Sequence, residues 1–364
     1  MSLKEVFVLG AGFTKAFAAD APLLLDEYDS PEVRQFDAFT YTRAILDEER
    51  SRCPRGMLNL ERLMTRLAGG MPYDWNTGSK DLLQALLSAL KQTFLSKIRE
   101  AKTNNNVRWI DLQLLAKHCR KNRIHCVTFN YDDFFDQALS DTAINDPYDD
   151  ITSWHPDWGY GFYCPSSVLA VGASSLVAVT RPRMGMQLLK LHGSVNWRVR
   201  HGQPSPYATG ALSHFENWVT IPEYENNLDM HNTRLPEVVD PFLDPEPFMV
   251  PPVLAKSDLV EQPILRVLWT LACEALEKAE KVTFVGYSLP ITDIAAGTLF
   301  RETLSHLDVS KVQVVDWATE AEADEKRDQL HRSYREVFRG FTPDRIDLTG
   351  GLAWAQSICR NPVG

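Results

Sequence analysis

The sequence predicts an α/β protein: a Rossmann-like, doubly wound parallel sheet with a helical subdomain and a loop-rich inserted module. Two observations carry this. Five short, nearly continuous apolar runs read as strands buried on both faces of a parallel sheet, and four of the five end in glycines or small hydrogen-bonding residues. Helical stretches lie between or after several of these runs, and strands alternating with helices give a parallel sheet covered on both faces.

The first run, KEVFVL (4–9), meets Gly10-Ala11-Gly12 and then the helix-compatible FTKAFA. From Leu58 to Lys121 the pattern is helical. LNLERLMTRL sets Leu60, Leu63, Met64 and Leu67 on one face, DLLQALLSALKQTFLSKI repeats the period, and VRWIDLQLLAKHC forms a third helix. This block, 58–121, is too long for a single crossover and is expected to form the helical subdomain. IHCVTF (124–129), ended by Asn130, and QLLKLH (187–192), ended by His192-Gly193, are the second and third strands. KVTFVG (281–286) and KVQVVD (311–316) are the fourth and fifth, with helices at 262–280, 293–305 and 319–336. Residues 141–253 are rich in Trp, Tyr, Pro, Gly and Asp, which predicts irregular loops with short strands such as NWVTIPEY (217–224). The core is thus assigned to 1–57, 122–140, 185–200 and 254–364, and the inserted module to 141–253, overlapping the core strand 187–192. The C-terminal RIDLTGGLAWAQSI has no assigned place.

Composition excludes several classes. Hydrophobic residues make up 44% and charged residues 24% of the 364, a balance that builds a sizeable core and excludes a disordered or fibrous chain. The longest largely apolar stretch, VLAVGASSLVAV (168–179), falls short of the ~20 residues of a membrane helix. MSLKEVFVLGAG lacks the features of a signal peptide, so a cytoplasmic location with no membrane association is expected. A net charge of −10 argues against direct nucleic-acid binding. The densest basic stretch, KHCRKNR (117–123), ends a helix, where cations suit the negative end of the dipole. The six cysteines, at 53, 119, 126, 164, 273 and 359, contain no CxxC and are expected to be buried thiols, so no metal is predicted. Asp141, Asp146, Asp149, Asp150 and Asp157 lack calcium-loop spacing and suit a solvated loop. His201 and His214 have no partners at ligand spacing, and Trp154, Trp158, Trp197 and Trp218 suit anchors of the loop-rich module. Glu61 is explained by its amphipathic helix.

Ligands of parallel α/β sheets bind outside the carboxyl ends of the strands. Those ends carry Gly10-Ala11-Gly12, Thr128 to Asp132, His192-Gly193-Ser194, Gly286-Tyr287-Ser288 and Asp316. The glycine turn is a phosphate candidate, but Lys15 fills the third glycine position of GxGxxG, which disfavours a hydride-transfer site. Asn130 offers a donor and an acceptor on one amide for a ribose hydroxyl or a water. His192 can take a proton near neutral pH and suits a general base. Structural alternatives stand beside both: Asn130 as the cap of a helix starting near Asp132, and His192 as a core imidazole.

GAGFT (10–14), TFNYD (128–132), KLHGSVNW (190–197), the PP at 251–252 and VGYSLPITD (285–293), in this order, resemble the sirtuin-like domain of bacterial and related NAD-consuming proteins. The resemblance implies that Gly10, Ala11 and Gly12, with Phe13 and Thr14, line the pyrophosphate of NAD. It implies that Asn130 and Asp132 act at the nicotinamide ribose and that His192 is the catalytic base. Gly286 and Ser288 would complete the nucleotide site, with Asp316 near the adenosine end. Protein-deacylating members carry TQN, four zinc-binding cysteines and a GIPDFR-like segment; here stand Phe129, no CxxC, and AADAPLL. The branch with TxNYD, HGSxxW and GYSLPxxD is associated with NAD hydrolysis, often as an effector in defence against phage. The resemblance therefore implies an NAD glycohydrolase using NAD as substrate. Its activity would be gated by homo-oligomerisation or by a separate partner such as a DNA-translocating ATPase or an Argonaute-type protein. An NAD-dependent protein deacylase and a non-catalytic nucleotide-binding subunit of a larger complex are the alternatives.

Overall fold

Strands buried on both faces need apolar side chains at nearly every position, and the stretch from Val6 to Leu9 is buried without a break. The computed structural model describes residues 4–22, 47–48, 51, 63–65, 79–104, 106–144, 153–155, 157–162, 164, 185–200, 212–214, 243–250, 263–290 and 293–360. In chain order the elements are β1 (Glu5–Leu9), α1 (Ala11–Phe17), α2 (Ser79–Thr103), α3 (Trp109–Asn122), β2 (His125–Thr128), α4 (Phe134–Ile144), β3 (Leu188–Lys190), β4 (Gly193–Arg200), β5 (Leu212–His214), β6 (Leu243–Met249), α5 (Pro263–Glu277), β7 (Lys281–Val285), α6 (Ile294–Thr303), β8 (Val312–Val315), α7 (Ala323–Val337), β9 (Ile346–Asp347) and α8 (Gly351–Arg360).

Six of the described strands form one sheet, in the order β3-β2-β1-β7-β8-β9, with every pairing parallel. The chain winds outward from β1 through β2 to β3, then returns to the other side of β1 and winds out through β7, β8 and β9. The order reverses between β1 and β7, the switch point at which doubly wound sheets open a crevice for ligands. Side chains alternate across the sheet. Phe7 meets Trp354 of α8 edge-on at 5.0 Å, and Phe284 packs against Phe300, Tyr334 and Phe338 of the α6–α7 side. One helical layer holds α1, α3 and α8, with α4 against α3; α6 packs with α5 and α7 in another.

Where the residues are described, the predicted strands and helices stand where the periodicity puts them, within a residue or two at most ends. The C-terminal segment finds its place: β9 adds an edge strand beside β8, and α8 folds back onto α1 and α3. Of the basic run 117–123, Arg120 departs from a solvated helix end. It is buried, and its Nε donates to Ser153 Oγ at 3.1 Å. The strand expected at 217–224, and Leu60, Glu61, Leu67, Pro251 and Pro252, lie outside the described residues.

A second, three-stranded antiparallel sheet in the order β5-β4-β6 was not foreseen. The chain leaves β3, turns through Leu191 and His192, and enters β4 at once. Gly193 makes this possible: its φ is +81°, and a Cβ there would stand 2.3 Å from the carbonyl oxygen of Phe248. α2 buries Leu83, Leu87, Phe94, Ile98 and Ala101 and packs on β4 and β6. Trp154 and Trp197 are buried against Tyr160, so these two anchor the module as expected.

Among the described residues Cys119, Cys126 and Cys164 are buried, Cys273 and Cys359 partly so, and all are free thiols. Burial, with Cys126 beside it, pushes the Cys119 thiol well up, which keeps it protonated and unreactive. No cluster of His, Cys, Asp and Glu among the described residues could hold a metal ion, and no described helix is long and apolar enough to cross a membrane.

Two glycines of the β7–α6 region should respond oppositely to alanine. Gly286 has φ +61°, and a Cβ would stand 2.0 Å from the Phe13 nitrogen. Gly286→Ala is expected to cost at least ~2 kcal/mol in denaturant unfolding. Gly297, in α6, has nothing within 4 Å of a built Cβ, and Gly297→Ala should stabilise by ~0.5–1 kcal/mol.

Candidate functional site

The turn after β1 and the turn after β7 meet backbone to backbone. The Gly10 amide donates to the Val285 carbonyl at 3.0 Å, and the Gly12 amide to the Gly286 carbonyl at 2.9 Å. A Cβ on Gly10 would sit within 2.5 Å of the Gly286 oxygen and Tyr287 Cα, and one on Gly12 2.9 Å from Gly286 Cα. These glycines therefore serve first to let two strand ends touch at the switch point. With the Phe13 amide donating to the Gly10 carbonyl at 2.9 Å, three amides of the turn are engaged inside the protein. Ala11 and Ser288 are exposed at this contact. Two residues past Tyr287, Leu289 is buried at φ +48°, a left-handed conformation that costs a non-glycine residue ~1–2 kcal/mol and marks the edge as a strained one.

From this contact a chain of hydrogen bonds runs to the end of β2. Thr128 Oγ1 donates to the Leu9 carbonyl at 3.0 Å and accepts from the Asn130 amide at 3.1 Å. Asn130 Nδ2 donates to the Gly10 carbonyl at 2.8 Å and to Thr14 Oγ1 at 3.1 Å. A carbonyl can only accept, so the Asn130 amide has one possible orientation. Its Nδ2 is spent on the protein, and its Oδ1 accepts from none of the described residues. Thr14 Oγ1 passes its own hydrogen to Asp132 Oδ2 at 2.8 Å, and Asp132 Oδ1 accepts from the Phe134 amide at 3.3 Å. It is Asp132, not Asn130, whose side chain bonds the first amide of α4.

Burial pushes the Asp132 carboxyl up from its ordinary value, with Asp136 and Asp133 adding to the rise; Lys190 and the Thr14 hydroxyl oppose it. Beside this chain lies a cavity of about 10 Å³ lined by Thr14, Thr128, Asn130, Asp132, Phe135 and Asp136 among others. That is room for about one water molecule.

His192 stands at the end of the neighbouring strand and is not among the residues lining that cavity. It is 7% exposed, with Phe129 edge-on at 5.2 Å and Tyr131 tilted at 6.2 Å. Phe129 in turn stacks on Tyr287 at 4.8 Å and 12°. Phe129 is thus an aromatic wall for the histidine. Sequence reasoning did not anticipate this packing of Phe129 and Tyr287, although they lie within TFNYD and VGYSLPITD.

At the end of β8 both carboxylate oxygens of Asp316 are engaged, Oδ1 by the Trp317 amide at 2.8 Å and Oδ2 by Lys326 at 3.1 Å. Trp317 itself is 62% exposed, with Gly350 against the indole. The available signal was an aromatic residue directly after a strand, at the edge where ligands bind. Pro251, Pro252, Ile291, Thr292, Asp146, Asp149, Asp150, His201, Trp218 and Cys53 lie outside the described residues, as does the side chain of His214.

A folded-state carboxyl held above its unfolded value favours the protonated form, so its ionisation costs stability as pH rises through that range. Asp132→Asn is therefore expected to be at least as resistant to thermal unfolding as the parent at pH 7. The difference should shrink as pH falls to the ordinary carboxylate range, in melting curves taken at both pH values.

No protein-family profile and no curated protein matches this sequence.

Proposed function

We propose that this chain is an NAD glycohydrolase that cleaves the nicotinamide–ribose bond to give nicotinamide and ADP-ribose. The observation that carries the reading is the Asn130 amide, locked by Gly10 and Thr14 beside the switch point of the sheet. A fixed amide whose oxygen is left to a ligand suits the orientation of a ribose hydroxyl or an attacking water.

In this reading NAD lies along the carboxyl edge. Exposed Ala11 and Ser288 meet the pyrophosphate, and Asp316 with Trp317 faces the adenosine. The C1′–N bond breaks through an oxocarbenium-like state, and nicotinamide departs neutral, so no strong acid is needed. The oxygen of water bonds to C1′ while His192 takes the proton, directly or through the ribose hydroxyls. When ionised, Asp132, linked to Asn130 through Thr14, would favour the developing positive charge. Control by homo-oligomerisation or by a separate partner, in an anti-phage setting, belongs to the same proposal.

The second reading is a nucleotide-binding subunit without turnover. Incubation with NAD and chromatography of the products separates the two. The glycohydrolase should release nicotinamide and ADP-ribose together, and Asn130→Ala and His192→Ala should each lower the rate by ~100-fold or more. Variant rates equal to the parent's overturn the assigned roles, and NAD or ADP-ribose binding with no product, even in the self-associated protein and with candidate partners added, selects the second reading.

A further inference from the structure

Lys190, the last residue of β3, is 1% exposed and carries a full positive charge's worth of donors into the core. Its Nζ donates to both oxygens of Asp136, at 3.2 and 3.0 Å, and to the main-chain carbonyl of Asp132 at 2.5 Å. An ammonium has three hydrogens, and these three acceptors match them. Asp136, on α4 and 2% exposed, also accepts from Tyr160 Oη at 2.7 Å. Asn196 Nδ2 reaches Tyr160 Oη at 3.5 Å, and Ser194 Oγ lies 2.5 Å from Asn196 Oδ1 and 3.3 Å from the Tyr131 carbonyl.

The two ends of this buried network rest on adjacent carbonyls, those of Tyr131 and Asp132. Both belong to the irregular segment between β2 and α4, which lies outside the strand ladders; the Tyr131 carbonyl also accepts from the Val195 amide at 2.9 Å, whereas the Asp132 carbonyl relies on Lys190. The same segment carries the Asn130 amide and the Asp132 carboxyl. We propose that Lys190 is a positioning residue: through the Asp132 carbonyl it fixes the backbone of 130–133, and so sets the aim of Asn130 and Asp132. Net stability does not account for such a residue, because a buried ion pair replaced by apolar side chains of similar volume is often no less stable. What an apolar pair cannot supply is a donor to that carbonyl.

The test compares the parent with Lys190→Met/Asp136→Leu, which removes both charges together. It should still unfold cooperatively, though at a lower temperature because the Asp132 carbonyl and the Tyr160 hydroxyl lose their buried partners, while amide hydrogen exchange across 129–133 should rise by ~10-fold or more relative to β1 and β7. That arm is independent of the proposed chemistry. The kinetic arm rests on it: kcat for NAD should fall ~10- to 100-fold with KM changed less than about twofold. Parent-like exchange in a folded double variant overturns the positioning role whether or not the parent turns over NAD. Raised exchange in a protein that never releases nicotinamide keeps the role and rejects the glycohydrolase. Should the double variant fail to fold, Asp136→Asn decides. It leaves Lys190 donating to the Asp132 carbonyl, so exchange across 129–133 should stay within ~3-fold of the parent, and a ~10-fold rise there overturns the proposal.

Discussion

The contact of Gly10 and Gly12 with Gly286 decides where everything else at the carboxyl edge stands. With no Cβ on any of the three, the turns after β1 and β7 share hydrogen bonds across the point where the sheet changes direction. That approach fixes the Gly10 carbonyl, which the Asn130 amide needs, and the start of α1, which brings Thr14 to Asp132. A methyl group at Gly286 would separate the turns and, with them, the strand ends on either side. The same glycines that suggest phosphate binding in a sequence are thus already occupied with backbone packing, and the polar work passes to the side chains around them.

Charge in this region is supplied from far along the chain. Asp132, Asp133 and Asp136 crowd into one short stretch, and repulsion with burial would make three ionised carboxyls costly there. The counter-charges come from two other elements. Lys102 of α2 pairs with Asp133 at 2.7 Å and stands 5.4 Å from the Phe134 ring, and Lys190 of β3 pairs with Asp136. Asp132 has no ion pair among the described residues, and burial outweighs the pull of Lys190 at that carboxyl. The helix from 79 to 103 and the strand from 188 to 190 are therefore both needed for the segment between β2 and α4 to hold its charge.

The main sheet could be read from the sequence because its strands are buried on both sides and carry an unbroken apolar signal, as in VFVL or VTFV. GSVNWRVR could not: its buried polar residues Ser194, Asn196 and Arg198 satisfy themselves through contacts that no local pattern announces. At the site, Asn130, Asp132 and His192 were found from their residue type and their place at strand ends. Lys190 does not stand out from its run, since a lysine inside an apolar strand gives no sign of a partner 54 residues away. Arg120 misled for the complementary reason: next to other cations it suggests a solvated helix end, and only the fold shows Ser153 waiting beside it.

The switch point is spanned twice, and the second crossing explains the phenylalanine at 129. His192 rests on Phe129, Phe129 stacks on Tyr287, and Tyr287 is held at both ends. Its hydroxyl donates to Asp293 at 3.1 Å, the residue that caps α6, and its carbonyl accepts from Tyr334 of α7 at 2.6 Å. A glutamine at 129 would give up the stack and place an amide among Trp269, Tyr287 and Phe300, where burying it without partners costs ~1–3 kcal/mol. Glycine contact fixes Asn130 from one side of the sheet's reversal, and aromatic stacking fixes His192 from the other. Both candidate residues thus belong to the β1-β2-β3 half yet take their positions from the β7-β8 half, and the chemistry proposed for them depends on the two halves remaining locked.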